Sequence, residues 1–88
     1  MNQKTKDKAK EKLYTAFVAA RETGSPPEVQ QYIQDAVDAL ESEDPETMRK
    51  ALALIIEQLR NPFLNVNHHV TDNIKAARRA LVPWWHFW

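Results

Sequence analysis

Glycine and proline divide this chain of 88 residues into four segments. The chain has a single glycine, Gly24, and two of its five prolines follow polar residues in the pairs Asp44–Pro45 and Asn61–Pro62. The stretches between these positions carry apolar residues at helical spacing. Glycine favours the left-handed end of a helix, whereas proline occupies the first turn of a helix or stops one. The pattern therefore predicts an all-α protein with four helices.

Each predicted helix has one apolar face, and the connections between the helices are short. The first three are expected over residues 5–23, 26–41 and 45–60, and the fourth after Asn65 or Asn67. Short connections make neighbouring helices antiparallel. We therefore expect one domain over residues 1–88, with a disordered start at residues 1–5, that folds as a small up-and-down antiparallel four-helix bundle. A three-helix domain with an irregular segment at residues 61–70 is the alternative.

The starts of the second and third helices carry capping signals. Ser25 is followed by Pro26 and, three residues on, by Glu28, which is the pattern of a capping box with proline at the first helical position. Asp44 with Pro45 repeats the combination of cap and proline. These signals predict that Ser25 and Asp44 are N-cap residues.

The start of the fourth helix is less sharply defined. Thr71 is a competing cap, and a start there would leave His68 and His69 in a loop. We expect the longer helix because Val66 and Val70 continue its apolar face.

Four of the chain's aromatic residues lie in the last five positions, at Trp84, Trp85, Phe87 and Trp88. Pro83 is expected to end the fourth helix because it has no N–H to donate, so that residues 83–88 form an aromatic tail. Three interpretations of this tail are open. It could fold back and cover its own bundle, anchor a partner protein, or lie at the headgroups of a bilayer.

Leu54 falls close to the side of the third helix opposite its predicted buried face, so we expect the tail or a second subunit to cover it. Tyr14 and Val18 lie beside the apolar face of the first helix and raise the same question. We predict a non-catalytic module that binds a partner protein or itself. The predicted interface combines the aromatic tail with the adjacent surface of helices 3 and 4, and consists of Trp84, Trp85, Phe87, Trp88, Leu54, Arg78 and Arg79.

Charge is balanced overall and uneven along the chain. Twelve basic residues match twelve acidic ones, but residues 1–12 and 61–88 are mainly basic while residues 13–60 are mainly acidic. The five lysines of residues 1–12, together with Lys75, Arg78, Arg79 and the terminal tryptophans, suggest single-stranded nucleic-acid binding as an alternative function. The acidic centre and the zero net charge argue against it.

Catalytic and cofactor sites are not expected. Without cysteine the chain has no disulfide, thiolate zinc site or cysteine nucleophile, and one glycine cannot form a phosphate-binding loop. Ser25 and Ser42 are explained by their positions at helix junctions. His68 and Asp72 have the spacing of two metal ligands, but zinc needs three or four. The longest apolar runs are six residues, well short of a membrane span, and we expect a cytoplasmic protein.

No motif identifies a family. In layout, a cysteine-free four-helix bundle with a lysine-containing N-terminus and a distinctive C-terminal tail at residues 83–88 resembles the bacteriocin immunity proteins of Gram-positive bacteria. The resemblance implies protection of a producing cell through contact with a membrane receptor complex, with the tail contributing to specificity.

Overall fold

The computed structural model describes residues 3–42, 44–61 and 66–85, and for residues 45 and 82–85 it describes the backbone alone. Within these residues the chain forms four α-helices and no strand, which confirms the all-α prediction and excludes the three-helix alternative. The helices are α1 (Gln3–Glu22), α2 (Pro27–Ser42), α3 (Pro45–Leu59) and α4 (His68–Trp85). The molecule measures 36 × 20 × 18 Å.

The first helix ends at Gly24, as predicted. Gly24 has a φ of 72°, in the left-handed region that favours glycine. Its N–H donates to the carbonyl of Arg21 at 3.4 Å, and the N–H of Ser25 donates to the carbonyl of Ala20 at 3.0 Å. These two backbone hydrogen bonds form a Schellman motif.

The second helix begins one residue later than the capping box predicts. Pro27 rather than Pro26 is its first residue, and the N–H of Val29 donates to the carbonyl of Pro26 at 3.0 Å. Ser25 is buried, and its hydroxyl lies 3.4 Å from Thr23 Oγ1. The start of α2 shifts because the backbone of Ser25 already belongs to the end of α1.

The third helix has the predicted cap. Asp44 has an extended backbone; its Oδ1 accepts a hydrogen bond from the N–H of Glu46 at 3.2 Å, and its Oδ2 accepts one from Thr47 Oγ1. The hydrogen bond from Thr47, followed by those from the backbone, lowers the pKa of Asp44 because these bonds favour the carboxylate. The helix ends at Leu59, close to the predicted boundary.

The fourth helix begins at His68, as the longer prediction requires. Asn67 precedes it, and the side-chain Oδ1 of Asn67 accepts a hydrogen bond from the N–H of His69 at 2.9 Å. This is the geometry of an N-cap, and it satisfies one of the free N–H groups of the first turn. Both histidines therefore belong to the helix.

The prediction that Pro83 ends this helix is wrong, because α4 continues to Trp85. Pro83 has no N–H to donate to the carbonyl of Arg79, but the N–H groups of Trp84 and Trp85 remain available to the last turn. Proline therefore costs one hydrogen bond near the helix end without stopping the helix. Trp84 and Trp85 belong to α4, and the remainder of the predicted tail, with Phe87 and Trp88, lies outside the described residues.

The core lies along the centre of the four helices, and α1 contributes mainly small side chains to it. The largest helix–helix contact joins α1 to α4, and the smallest contact between neighbouring helices joins α3 to α4. Short alanine side chains allow helix axes to approach closely, which suits the extensive contact of α1 with α4. The buried apolar residues are Ala9, Leu13, Ala16, Ala20, Val29, Ile33, Ala36, Val37, Ala39, Leu40, Met48, Leu52, Ile55, Val70, Ile74, Ala77 and Leu81.

Gly24→Ala is expected to lower the free energy of unfolding by about 1–2 kcal/mol, the cost of a left-handed conformation for a residue with a Cβ atom. No atom lies within 4 Å of the position that this Cβ would take, so the cost comes from the backbone alone. Urea denaturation measures it. Gly24→Asn is the matched control and should cost less, because asparagine tolerates this conformation. Equal stability of the wild type and Gly24→Ala would contradict the assigned helix end.

Ala16→Leu is expected to destabilise the fold by about 1–3 kcal/mol, because Ala16 is fully buried and the larger side chain would overpack the core. The same change at the exposed Ala53 of α3 is the control and should alter stability by less than about 0.5 kcal/mol. Chemical denaturation measures the free energy of unfolding of both variants. Equal effects of the two substitutions would refute the proposed packing of α1.

Candidate interaction surface

Of the predicted interface residues, the structure describes the side chains of Leu54, Arg78 and Arg79. Leu54 is 47% exposed on α3, as its position opposite the buried face predicts. Arg78 and Arg79 are both exposed on α4, but neighbouring residues of a helix point about 100° apart. Of these three residues only Arg78 lines the groove between α3 and α4. The side chains of the four predicted aromatic residues lie outside the described part of the structure.

The α3/α4 groove lies between the two neighbouring helices that make the smallest contact. Its volume is about 620 Å³. On the α3 side, apolar side chains and one carboxylate lie between two arginines, and α4 contributes a third arginine. The lining residues are Arg49, Leu52, Ala53, Ile56, Glu57, Arg60 and Arg78.

A smaller cavity of about 100 Å³ adjoins this groove and shares Ile56 and Arg60 with it. It is also lined by Lys75 of α4. Thr71, Lys75 and Arg78 follow one another at intervals of four and three residues, so they lie along one side of α4. That side faces α3 and is basic.

Leu54 is not among the residues that line the α3/α4 groove. It lies about 160° around the helix from Ile56, which lines the groove. Arg78 therefore lines the groove, whereas Leu54 lies outside its described lining. The sequence gives the direction of each side chain relative to its own helix, but the direction relative to a neighbouring helix depends on packing.

A second groove lies between α1 and α4, beside the exposed apolar residues of α1. Tyr14 is 44% exposed and Val18 is 39% exposed, as their positions beside the buried face predict. They line a groove of about 720 Å³, together with Ala19, His69 and other residues of the two helices. The role of His69 in this groove was not evident from the sequence, because it depends on the rotation of α4 against α1.

The two histidines at the start of α4 lie side by side. The centroids of the His68 and His69 rings are 4.1 Å apart, and the ring planes are inclined by 38°. In residues 3–42, 44–61 and 66–85, no group of three or more histidine, aspartate or glutamate side chains is arranged to hold a metal ion. The pairing of His68 with Asp72 therefore acquires no third ligand from these residues.

The basic start of α1 packs against the acidic end of α2. Lys10 Nζ lies 2.5 Å from Glu41 Oε1, and Lys6 Nζ lies 3.2 Å from Glu41 Oε2. The hydrogen bond from Lys10, and then that from Lys6, lowers the pKa of Glu41, while Glu41 raises the pKa of Lys10. Two of the five N-terminal lysines are therefore paired within the molecule.

A comparison with protein-family models, with curated proteins and with solved structures found no match. Among the helices of the described residues, none has the length and apolar character needed to cross a bilayer. The assignment of function therefore depends on the chemistry of the two grooves, the charges around them and the aromatic end of the sequence.

Glu41→Gln is expected to destabilise the fold at neutral pH because it removes the carboxylate that accepts from Lys6 and Lys10. Glu41 has a lowered pKa in the folded state, so its ionic contribution is complete above the ordinary value of 4.5 and is lost as the pH falls through the lowered value. Urea denaturation at a series of pH values from neutral to acidic should show the stability difference between wild type and variant disappearing in acid.

Glu22→Gln is the matched control, since it removes one carboxylate from the other end of α1. It should not produce the same pH-dependent difference. A Glu41→Gln difference that persists unchanged in acid would show that the two ion pairs do not contribute to stability.

Proposed function

We propose that this chain is a non-catalytic helical module that binds a partner protein, or a second copy of itself, through its aromatic C-terminus and the adjacent surface of α3 and α4. The observation that supports this proposal is the position of Trp84 and Trp85 as the last two residues of α4, the helix that also forms one side of the α3/α4 groove. Tryptophan and arginine are enriched in the residues that contribute most to protein–protein binding.

The up-and-down antiparallel order of the helices forms part of the same proposal. The pairing of Lys6 and Lys10 with Glu41 supports it, because it joins the start of α1 to the end of α2. The neighbouring helices α3 and α4 also support it. Leu59, the last residue of α3, and Thr71, near the start of α4, line the same cavity. Such an order leaves the grooves between neighbouring helices running along the length of the bundle.

Single-stranded nucleic-acid binding is the second candidate function, favoured by the three arginines of the α3/α4 groove. The pairing of Lys6 and Lys10 with Glu41 reduces the N-terminal charge that it could use. The immunity-type alternative has the all-α four-helix architecture in its favour.

Deletion of residues 84–88 is expected to abolish capture of a partner by the immobilised chain while the far-UV circular dichroism of the bundle is retained. A single interface tryptophan contributes about 2 kcal/mol or more where it forms a binding hot spot, so affinity should fall by about tenfold or more. The measurement is affinity capture with the full chain and the shortened chain side by side, followed by titration of the captured protein.

Tyr14→Ala is the matched control, because it removes an exposed aromatic side chain from a different surface and should leave capture unchanged. A deletion that unfolds the domain would instead support a tail that covers its own bundle. Tryptophan emission that shifts to the blue only as the protein is concentrated would identify a second copy as the partner. Binding of single strands that weakens steeply with salt would favour the nucleic-acid alternative.

A further inference from the structure

The charged side chains among the described lining residues of the α3/α4 groove are mainly basic. Arg60 and Arg78 line it from α3 and α4, and Arg49 lines it near the start of α3, whereas Glu57 is the one carboxylate among its described lining residues. Lys75 extends the positive rim into the adjoining cavity. The groove is therefore basic in a chain whose net charge is zero.

The floor of the groove is apolar. Leu52, Ala53 and Ile56 form it, and Ala53 is exposed while Ile56 is partly buried. The distance along α3 from Arg49 to Arg60 is about 16 Å, the length of about three helical turns. The apolar residues Leu52, Ala53 and Ile56 lie between these two arginines. This arrangement matches an amphipathic helix with a short apolar stripe and acidic flanks.

We propose that the α3/α4 groove binds an acidic amphipathic helix of a partner protein. This inference rests on the proposed function and adds the chemistry of the partner to it. Carboxylates of the partner accept hydrogen bonds from the guanidinium groups of Arg60 and Arg78, and its apolar stripe covers Ala53 and Ile56. The positive rim also accelerates the encounter with an acidic partner and makes it sensitive to salt.

A single-stranded nucleic acid fits the groove less well. The described residues that line it include no aromatic side chain on which a base could stack. The helix α2 carries four carboxylates and no basic residue, so a long polyanion passing over the bundle would meet a repulsive surface. A short acidic helix contacts the groove alone and avoids that repulsion.

The acidic α2 surface of a second copy of this chain also fits the groove less well. Its acidic helix α2 has the charge that the groove requires, but the apolar side chains of α2, among them Val29, Ile33 and Leu40, are buried in its own core. The exposed side of α2 therefore has carboxylates without the apolar stripe that the floor of the groove would bury. A separate partner can supply both.

The test uses the full chain and a fluorescein-labelled peptide of about 15 residues designed as a helix with a leucine stripe flanked by glutamate. A second peptide carries lysine in place of each glutamate. Fluorescence anisotropy should show that the acidic peptide binds with a Kd below about 1 mM and that the lysine peptide binds at least about tenfold more weakly. Binding of the acidic peptide should weaken as NaCl is raised from about 0.05 M to about 0.5 M.

Reversing the two rim charges should reverse this preference. The double variant Arg60→Glu with Arg78→Glu is expected to lose at least about tenfold in affinity for the acidic peptide and to gain affinity for the lysine peptide. Lys8→Glu with Arg21→Glu makes the same change in net charge on the exposed surface of α1, outside the groove, and should leave the preference unchanged. Ala53→Glu places a carboxylate in the floor of the groove without removing an arginine, and it should also weaken binding of the acidic peptide.

Failure of the acidic peptide to bind, or equal binding to the wild type and the two groove variants, would overturn the proposal. A single-stranded oligonucleotide that competes with the labelled peptide more strongly than the unlabelled acidic peptide does would identify a nucleic acid as the ligand of the groove. If light scattering shows that the wild type is a dimer and that the groove variants are monomers, the ligand of the groove is a second copy of the chain. Each titration is repeated with residues 84–88 deleted. If the shortened chain still binds the peptide but no longer captures the partner, the groove and the aromatic end have separate roles.

Discussion

The packing of α1 against α4 is the contact on which the rest of the bundle depends. It is the largest helix–helix contact, and α1 contributes three fully buried alanines and a single buried leucine to the core. Small side chains let the helices approach closely, and a close approach leaves no room for a larger residue at these positions. Apart from Leu13, the largest fully buried side chains come from α2, α3 and α4.

The two grooves lie on different sides of α4. The contact of α4 with α3 is the smallest between neighbouring helices, and the α3/α4 groove lies along it. The basic side chains on that flank of α4 then face the arginines of α3 across an apolar floor. On the opposite flank of α4, His69 lies beside Tyr14 and Val18 of α1. One helix thus divides the surface into a basic groove and a mainly apolar one.

The local structure could be predicted from the sequence to a greater extent than the candidate site could. Gly24, Asp44 and Asn67 act on backbone groups within a few residues, so their roles could be read from sequence neighbours alone. The start of α2 and the end of α4 differ from the predicted boundaries. The N–H of Ser25 is hydrogen-bonded to the end of α1, and Pro83 removes only one hydrogen bond from the last turn of α4. The groove joins residues such as Arg60 and Arg78, whose proximity depends on the packing of two helices.

The ion pairs of Glu41 show that the arrangement of charges on the surface also depends on how the helices pack. A basic N-terminal segment and an acidic middle suggest separate surfaces in the sequence, but Lys6 and Lys10 converge on one carboxylate at the end of α2. The extensive contact of α1 with α4 also joins the first helix to the last. During synthesis, the alanine face of α1 therefore emerges long before its main partner exists, and the core can close only when the final helix has left the ribosome.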